Sequence, residues 1–348
     1  MGMIKVPHEA VDFFRSNLDG IVESGNLAEG EWNTKLNQFF SEYSNTKHAV
    51  SFCSNGAGIT SVLAVLKTYY GAKRICIQSN TMYGMKTTAI TSGLEYVGAV
   101  SCNLDTLMPS FQQFREFYDG LADHKGLVFL ISHIGGIVNP DIDKISLFCK
   151  ANDVYLIEDC AHSVGSKLRG KSAGSFGLAG VYSLYSTKSI MAGEGGVVIT
   201  DDDQLYNLVS RFNIYDRFEM KMDIGVNFRI SEIQALFSYA ICRESEAIIR
   251  NKIAIADRYS SMLDTFGVRY INQIGNGHRG NYYKFILLNP LDDSRFDQIT
   301  MRTSPVYSYS LGADPQKISS RHICLPIWYE FEESNIELVC EQLKLAFG

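Results

Sequence analysis

The chain has 348 residues, of which 46% are hydrophobic and 20% are charged, and its formal net charge at pH 7 is -6. This composition is typical of a globular protein and excludes a disordered or low-complexity chain. The negative net charge argues against a general nucleic-acid surface, which needs clustered Lys and Arg. No apolar run approaches the roughly 20 residues that a membrane span needs, so we expect no membrane segment and a cytoplasmic location.

The eight cysteines form no C-x-x-C pair. Several of them, including Cys53, Cys76 and Cys149, lie in apolar stretches of the sequence. We therefore expect buried, reduced thiols and neither a disulfide framework nor a zinc site.

Short apolar runs alternate with helical patterns through the first two thirds of the chain. A stripe of Ile59, Val62, Leu63 and Leu66 has helical spacing and predicts a helix that begins just after Gly56. Alternation of this kind predicts a largely parallel sheet that is covered by helices. The predicted strands are, in chain order, 74–78, 94–100, 127–131, 154–157, 181–184 and 197–200.

The pattern changes near Ser231, where Ser231 and Gln234 have the spacing of a capping box that begins a long helix. We place a domain boundary inside this helix, which gives a large domain over residues 1–240 and a smaller α+β domain over residues 241–348. The predicted elements of the smaller domain are strands at 268–271 and 282–288 and a final helix with Ile336, Val339, Cys340, Leu343 and Phe347 on one face.

Two positions at predicted strand ends suggest chemistry. Asp159 follows an apolar run, and Lys188 follows the next strand, just before the glycine turn 193–196. A pyridoxal phosphate enzyme needs such a pair, because a carboxylate keeps the cofactor pyridine protonated while a lysine amine binds the aldehyde. Each residue also has a plainer interpretation, since Asp159 alone predicts a helix or turn cap and Lys188 alone predicts a surface lysine.

Two further side chains are candidates for contact with a cofactor ring. His162 lies three residues after Asp159, where it could rest against the ring or touch its phenolic oxygen. By itself such a histidine is more often a structural residue. Tyr83 follows the first predicted strand and could stack on the ring, although an ordinary core or surface aromatic is the default interpretation.

A phosphate group has candidate contacts at a predicted helix start. Gly56 and Ala57 open the first helix after Ser54, where exposed backbone N–H groups and the helix dipole favour an anion. Ser183 stands five residues before Lys188 and could donate its hydroxyl to the same phosphate. Glycine at a helix entry is common, so this motif alone is weak evidence.

Taken together, five segments resemble the DegT/DnrJ/EryC1/StrS family of sugar aminotransferases. They are 157–163 (IEDCAHS), Gly174 with Gly177, 182–188 (YSLYSTK), 193–196 (GEGG) and 227–235 (NFRISEIQA). The resemblance implies an α/β fold: an aspartate aminotransferase-like, fold type I large domain with a mostly parallel seven-stranded sheet, and a smaller C-terminal α+β domain. It also implies pyridoxal 5'-phosphate as cofactor, pyridoxamine 5'-phosphate as an intermediate form, and a homodimer with shared active sites.

The resemblance also assigns roles to individual residues. Lys188 corresponds to the lysine that binds the cofactor aldehyde, Asp159 to the partner of the ring nitrogen, and His162 to a neighbour of the ring. Asn227 would reach the phosphate from the partner subunit. The other implied contacts are Gly56, Ala57 and Ser183 with the phosphate, Tyr83 stacked on the ring, and Arg229 and Tyr185 with substrate. No metal is implied.

The sequence departs from the family pattern at several positions. Ala57 replaces the usual threonine, which removes one hydroxyl from the phosphate site. Ser79-Asn80-Thr81-Met82 replaces a proline-containing segment before the stacking aromatic. A late His-x-Gln-Pro segment that helps to shape the sugar pocket is not recognisable around Pro305 to Pro315. These changes affect the expected substrate more than the expected cofactor.

We therefore expect a transaminase that converts a nucleotide-linked deoxy keto sugar into an amino sugar, with glutamate as donor. Lys188 argues against a relative that carries histidine there and dehydrates a keto sugar. Two alternatives remain open: transamination of a cyclitol or another free keto compound, and a non-catalytic, cofactor-binding regulatory protein. The nucleotide, the ketone carbon and the product stereochemistry are not determined by the sequence.

Overall fold

A computed structural model of the chain describes residues 5–215, 222–288, 293–307, 310–311 and 318–348. Its helices are α1 (His8–Ser24), α2 (Glu31–Ser44), α3 (Asn55–Tyr69), α4 (Tyr83–Thr91), α5 (Phe111–Asp119), α6 (Ile142–Ala151), α7 (Asp203–Ile214), α8 (Glu232–Arg243), α9 (Ser245–Thr265) and α10 (Glu333–Phe347). Its strands are β1 (His48–Phe52), β2 (Arg74–Gln78), β3 (Glu95–Val100), β4 (Leu127–Ser132), β5 (Tyr155–Cys160), β6 (Lys167–Leu168), β7 (Lys171–Ser172), β8 (Ala179–Ser183), β9 (Gly196–Thr200), β10 (Ile274–Gly275), β11 (His278–Arg279), β12 (Phe285–Leu288) and β13 (His322–Leu325). In these parts of the chain, no helix combines the length and apolarity that a membrane crossing needs.

A seven-stranded sheet organises the larger part of the molecule, in the order β1-β9-β8-β5-β4-β2-β3. Its strand pairs are parallel from β3 to β8, and β9 runs antiparallel to both of its neighbours. The predicted mostly parallel seven-stranded sheet is therefore confirmed, with small shifts at the strand ends. Strand β1 has no counterpart among the predicted strands.

Helices cover both faces of this sheet, as buried parallel strands require. One apolar core joins the sheet to α1, α2, α5, α6 and α8 and contains Leu36, Phe114 and Leu236. The other joins it to α3, α4 and α7 and contains Leu63, Met85 and Leu205. The carboxyl ends of β2, β4, β5 and β8 consequently meet at one edge between two rigid layers.

Glu158 fixes the loop that carries the two glycines of the family pattern. Its buried carboxylate accepts backbone N–H bonds from Gly174 at 2.8 Å, Phe176 at 2.7 Å and Gly177 at 2.6 Å. A Cβ on Gly177 would lie 2.3 Å from the backbone oxygen of Leu156, so only glycine fits this approach to β5. The motif thus shapes the strand next to Asp159.

The region after Ser231 differs from the prediction in two details. Ser231 caps α8, since its Oγ accepts the N–H of Gln234 at 3.2 Å. The Gln234 side chain, however, donates to the backbone oxygens of Ala192 and Glu194, so the predicted reciprocal capping box is wrong. The predicted long helix is also two helices, α8 and α9, with Glu244 between them.

The C-terminal part has its own apolar core between α9, α10 and the two-stranded sheet of β12 and β13. The predicted strand at 282–288 is present as Phe285–Leu288, and the predicted final helix is α10. The predicted strand at 268–271 is wrong, because Tyr270 makes only an isolated bridge to Leu287 there. The domain boundary between residues 240 and 241 stays a prediction.

The thiols follow the prediction with one exception. All eight cysteines are free, and seven of them are buried. Cys53 is exposed, so the expected burial of this thiol is wrong, since the chain leaves β1 just before it.

Candidate active site

Asp159 lies at the end of β5, on the sheet edge where the parallel strands converge. Its carboxylate is 3% exposed and accepts three hydrogen bonds: from Asn55 Nδ2 at 3.3 Å, from the Ala161 N–H at 3.1 Å and from Ser132 Oγ at 3.1 Å. Burial raises the pKa of Asp159, while these donors and the charge of Lys188 oppose the rise. The donors hold the carboxylate in one orientation without neutralising it.

Lys188 lies in the loop between β8 and β9, which backbone hydrogen bonds keep tight. Its own N–H donates to the Tyr185 oxygen at 2.9 Å, and Leu184 N–H donates to the Gly195 oxygen at 2.9 Å. Burial lowers the pKa of Lys188 to about 8, the charge of Asp159 raises it, and the charge of Lys284 lowers it. A lysine in such surroundings is available as a neutral amine near neutral pH.

His162 is buried between aromatic rings beside these two residues. Its ring stacks on Tyr283 at 4.1 Å, and Tyr307 lies 5.9 Å away in a nearly parallel plane. Because Nδ1 accepts the Gly135 N–H at 3.4 Å, we assign the proton to Nε2, which lies 3.5 Å from the Tyr307 hydroxyl oxygen. Burial and the charges of two lysines hold the pKa of His162 well below its ordinary value, so the ring is neutral.

The start of α3 packs against the glycine turn 193–196. Ser54 caps the helix by accepting the Ala57 N–H at 3.1 Å, and Gly56 lies in the first turn. A Cβ on Gly196 would lie 2.4 Å from the Ser54 carbonyl carbon, so the turn packs directly on this helix start. Ser183 pairs with Gly196 across β8 and β9, which brings its buried side chain to the same place.

Three predicted residues, Tyr83, Tyr185 and Asn227, lie further out on the surface, and a fourth, Arg229, is partly buried. Tyr83 is 55% exposed at the first position of α4, and Tyr185 is 44% exposed on the lysine loop. Asn227 is exposed, and its Oδ1 accepts the Arg229 N–H at 3.3 Å. Arg229 contacts Glu29 at 3.8 Å and donates to the Asn213 oxygen at 3.1 Å. In the described ranges, no contact joins Asn227 or Arg229 to Asp159 or Lys188.

Several residues near the site were missed by sequence reasoning. Asn55 and Ser132 bind Asp159, and they could have been inferred from their places at a helix start and a strand end. Tyr283, Lys284 and Tyr307 lie more than a hundred residues downstream of Asp159 and His162, and no local pattern marks them. The expected His-x-Gln-Pro region, residues 305–315, lies partly outside the described residues.

The buried cluster of His133, Glu158 and Cys160 has ligand types that could suit a metal. Its geometry has a structural explanation, however. His133 Nδ1 accepts the Asn139 N–H at 3.1 Å, so its Nε2–H donates to Glu158 at 2.7 Å. The Glu158 carboxylate also accepts the three backbone N–H bonds from residues 174–177, and we assign no metal here.

Comparison with known proteins establishes the family of this chain. The sequence profile of the DegT/DnrJ/EryC1/StrS aminotransferase family matches residues 9–344. The chain belongs to this family. Family members are pyridoxal phosphate-dependent sugar aminotransferases, and the fold type I prediction is confirmed.

Individual relatives of this aminotransferase are distant in sequence. GDP-perosamine synthase of Escherichia coli O157:H7 is 23% identical over 91% of this chain and 90% of its own. UDP-4-amino-4,6-dideoxy-N-acetyl-beta-L-altrosamine transaminase of Helicobacter pylori is 25% identical over 69% of this chain and 64% of its own. The structure of NtdA from Bacillus subtilis, solved with bound cofactor PMP, has a TM-score of 0.84 at 16% identity and covers 98% of this chain and 83% of that one.

The residues of this family member fit the cofactor chemically. Asp159 is a buried carboxylate that accepts hydrogen bonds from three neutral donors and lacks a hydrogen-bonded cation among the residues described. Within the same ranges, the Lys188 amine has no hydrogen-bond acceptor. A ring N–H cation and an aldehyde are the two groups that such a carboxylate and such an amine can take.

Proposed function

We propose that this aminotransferase converts a nucleotide-linked keto sugar into an amino sugar and takes the amino group from an amino acid, with glutamate as the expected donor. The observation that carries the proposal is the joint placement of Asp159 and Lys188 at one sheet edge. The nucleotide-linked part rests on the two relatives above, whose names specify a GDP-sugar and a UDP-sugar. A cytoplasmic location stays a prediction of the sequence.

The proposed roles follow from the chemistry of each group. When bound, the cofactor supplies an electron-withdrawing pyridinium ring and an aldehyde carbon. Lys188 Nζ would bind the aldehyde, and Asp159 would accept the ring N–H. The backbone N–H of Gly56 and the hydroxyl of Ser183 would bind the phosphate, with Ala57 in the same helix turn. Tyr83 would cover the ring from the exposed side.

Lys188 would also transfer protons once the donor amine has displaced it. A base at the donor α-carbon must be neutral before it acts, and the pKa of Lys188, lowered to about 8, leaves a useful neutral fraction near pH 7. Neutral His162 would accept or donate one hydrogen bond beside the ring without adding a second positive charge. In the sugar half-reaction, Lys188 Nζ would return a proton in the same way.

We further infer a homodimer in which Asn227 completes the partner's site. The support is the exposed position of Asn227 and an apolar patch around the start of α8, formed by Leu27, Val226 and Ile233. These side chains are 52%, 40% and 39% exposed, respectively. Glu232 N–H donates to the Leu27 oxygen at 3.0 Å, so the patch is continuous across two chain segments. Arg229 and Tyr185 are the proposed substrate contacts.

The function is tested with protein loaded with pyridoxal phosphate. We expect a visible absorption band that Lys188→Ala abolishes, loss of the band with L-glutamate, and release of 2-oxoglutarate. The amino form of the enzyme is then mixed with nucleotide-linked keto sugars and, separately, with free keto sugars and cyclitols. Return of the band with nucleotide-linked sugars supports the proposal. Return only with free compounds would show that the nucleotide assignment is wrong, and a band insensitive to all amino acids would indicate a regulatory protein.

The shared site is tested by mixing subunits of Lys188→Ala and Asn227→Ala. If Asn227 acts across the interface, a mixed dimer contains one site with both changes and one intact site, so activity returns. If Asn227 acts within its own chain, every site carries one change and no activity returns.

A further inference from the structure

Lys284 lies on the wall of the site and is not explained by the roles above. It begins the segment that enters β12, and its Nζ lies 5.7 Å from the ring centre of Tyr283. Lys188 Nζ lies 5.1 Å from the same ring. The two amines therefore share one aromatic neighbour, and His162 stacks on that ring as well.

The charge of Lys284 has no anionic partner in the part of the chain that the structure describes. Its Nζ donates to Thr303 Oγ1 at 3.3 Å, to the Ser304 oxygen at 3.0 Å and to Ser304 Oγ at 3.2 Å, all of them neutral acceptors. Arg229, the cation that the sequence favours for substrate, is already paired with Glu29. A half-buried ammonium without a counter-ion is costly, and an incoming anion relieves that cost.

The donor amino acid brings a suitable anion to this place. Its amine has to approach the position of Lys188 Nζ, and its α-carboxylate carbon is two bonds from the amine nitrogen, about 2.5 Å away. A cation that recognises this carboxylate must therefore lie beside Lys188. The phosphates of a nucleotide-linked sugar are separated from the reacting carbon by the sugar and meet the site further out.

We propose that Lys284 binds the α-carboxylate of the amino-acid donor and so determines which amines this enzyme accepts. The inference rests on the proposed function. Burial lowers the pKa of Lys284, and a bound carboxylate would oppose this effect by favouring the charged form. The contacts with Thr303 and Ser304 would orient the ammonium before the donor arrives.

The test measures binding without turnover. The probes are α-methylglutamate, which has no α-hydrogen to lose, and 4-amino-4-methylpentanoate, in which a methyl group replaces the α-carboxylate and which also lacks this hydrogen. Their dissociation constants are measured calorimetrically on cofactor-loaded wild type, Lys284→Met, Lys284→Arg and the double variant Thr303→Val with Ser304→Ala. Circular dichroism establishes that each variant is folded.

We expect Lys284→Met to bind α-methylglutamate about 10-fold to 100-fold more weakly and 4-amino-4-methylpentanoate no more weakly than wild type, as for loss of one charge-assisted hydrogen bond. Lys284→Arg and the double variant should stay within about threefold of wild type. Equal affinity of wild type and Lys284→Met would overturn the assignment while leaving the proposed function intact. Equal weakening of both probes by Lys284→Met would show that Lys284 does not recognise the α-carboxylate. Failure of wild type to bind either probe or glutamate would overturn the donor reaction itself.

Discussion

Asn55 Nδ2 donates to both Asp159 Oδ1, at 3.3 Å, and the backbone oxygen of Val181, at 2.9 Å. The first residue of α3 thus connects the proposed ring-nitrogen partner on β5 with the neighbouring strand β8. A single amide therefore links the proposed phosphate end of the site to its carboxylate end.

Replacement Asn55→Ala should weaken cofactor binding about tenfold, because the carboxylate loses one oriented donor and becomes easier to protonate. Titration of the apoprotein with pyridoxal phosphate measures this dissociation constant. Asn152→Ala is a matched control, since this amide donates to the Phe148 oxygen beside α6, away from the site. Equal affinities of wild type and Asn55→Ala would contradict the proposed role.

The rate at which apoprotein combines with pyridoxal phosphate should rise with pH and level off above a midpoint near 8. Lys188 reacts only as the neutral amine, and its pKa is lowered to about 8. In Asp159→Asn the midpoint should shift to lower pH, because the carboxylate charge that raises the pKa is gone. Stopped-flow absorbance between about pH 6 and 11 measures both profiles. A midpoint near 10.4, the value of an ordinary lysine, would show that Lys188 is not desolvated.

Lys252 on α9 should make the protein more stable at high pH than at neutral pH. Its side chain is 3% exposed and donates to Ser189 Oγ at 2.9 Å. Burial, and to a smaller extent the charge of Lys284, lowers the pKa of Lys252 to about 7. Between about pH 7 and 10.4, Lys252 is protonated in the unfolded chain but neutral in the folded protein, so the free energy of unfolding rises with pH. Below pH 7 Lys252 is charged in both states, and the cost of burying its charge is fully present.

Lys252→Met should therefore be more stable than wild type by about 1 to 3 kcal/mol near pH 7, and this advantage should vanish near pH 10. Urea unfolding of both proteins at several pH values measures the difference. The lost bond to Ser189 opposes the gain equally at both pH values, so the pH dependence is the decisive quantity. A constant difference across this range would contradict the depressed pKa.

Gly180→Ala should destabilise the large sheet strongly. A Cβ at Gly180 would lie 2.2 Å from Gly174 Cα, and this contact is with backbone that cannot rotate away. We expect loss of several kcal/mol or insoluble protein. Gly20→Ala is the control, because a Cβ at this exposed position of α1 meets nothing within 4 Å, and it should stabilise by about 0.5 to 1 kcal/mol. Thermal unfolding compares the two variants.

The sequence predicted the sheet because buried parallel strands leave long apolar runs, and β2, β4 and β5 have them. It predicted Asp159 and Lys188 because the chemistry needs both residue types at strand ends. Strand β1 was missed since its polar His48 and Ser51 interrupt the apolar pattern. The capping box failed because the Gln234 side chain is held by the lysine loop, where its Nε2 donates to the backbone oxygens of Ala192 and Glu194, and such a tertiary contact has no local signature.

The wall formed by Tyr283, Lys284 and Tyr307 could not be predicted for a different reason. Tyr283 meets His162 next to fully buried Asn281, which donates at 2.9 Å to the backbone oxygens of both His162 and Val164. A contact between positions more than a hundred residues apart depends on how the C-terminal part of the chain packs against the part built on the large sheet. No periodicity in the sequence encodes that packing.

The hydrogen bonds of Asn281 join two stretches of the chain that have different proposed roles. The residues proposed to hold the cofactor, except Asn227, come from one continuous stretch between Gly56 and Lys188, whereas the facing wall comes from Tyr283, Lys284 and Tyr307. With the proposed role of Lys284, substitutions in this later part of the chain would change the accepted amino donor without altering the residues proposed to hold the cofactor. The condition is that Asn281 keeps its hydrogen bonds to His162 and Val164.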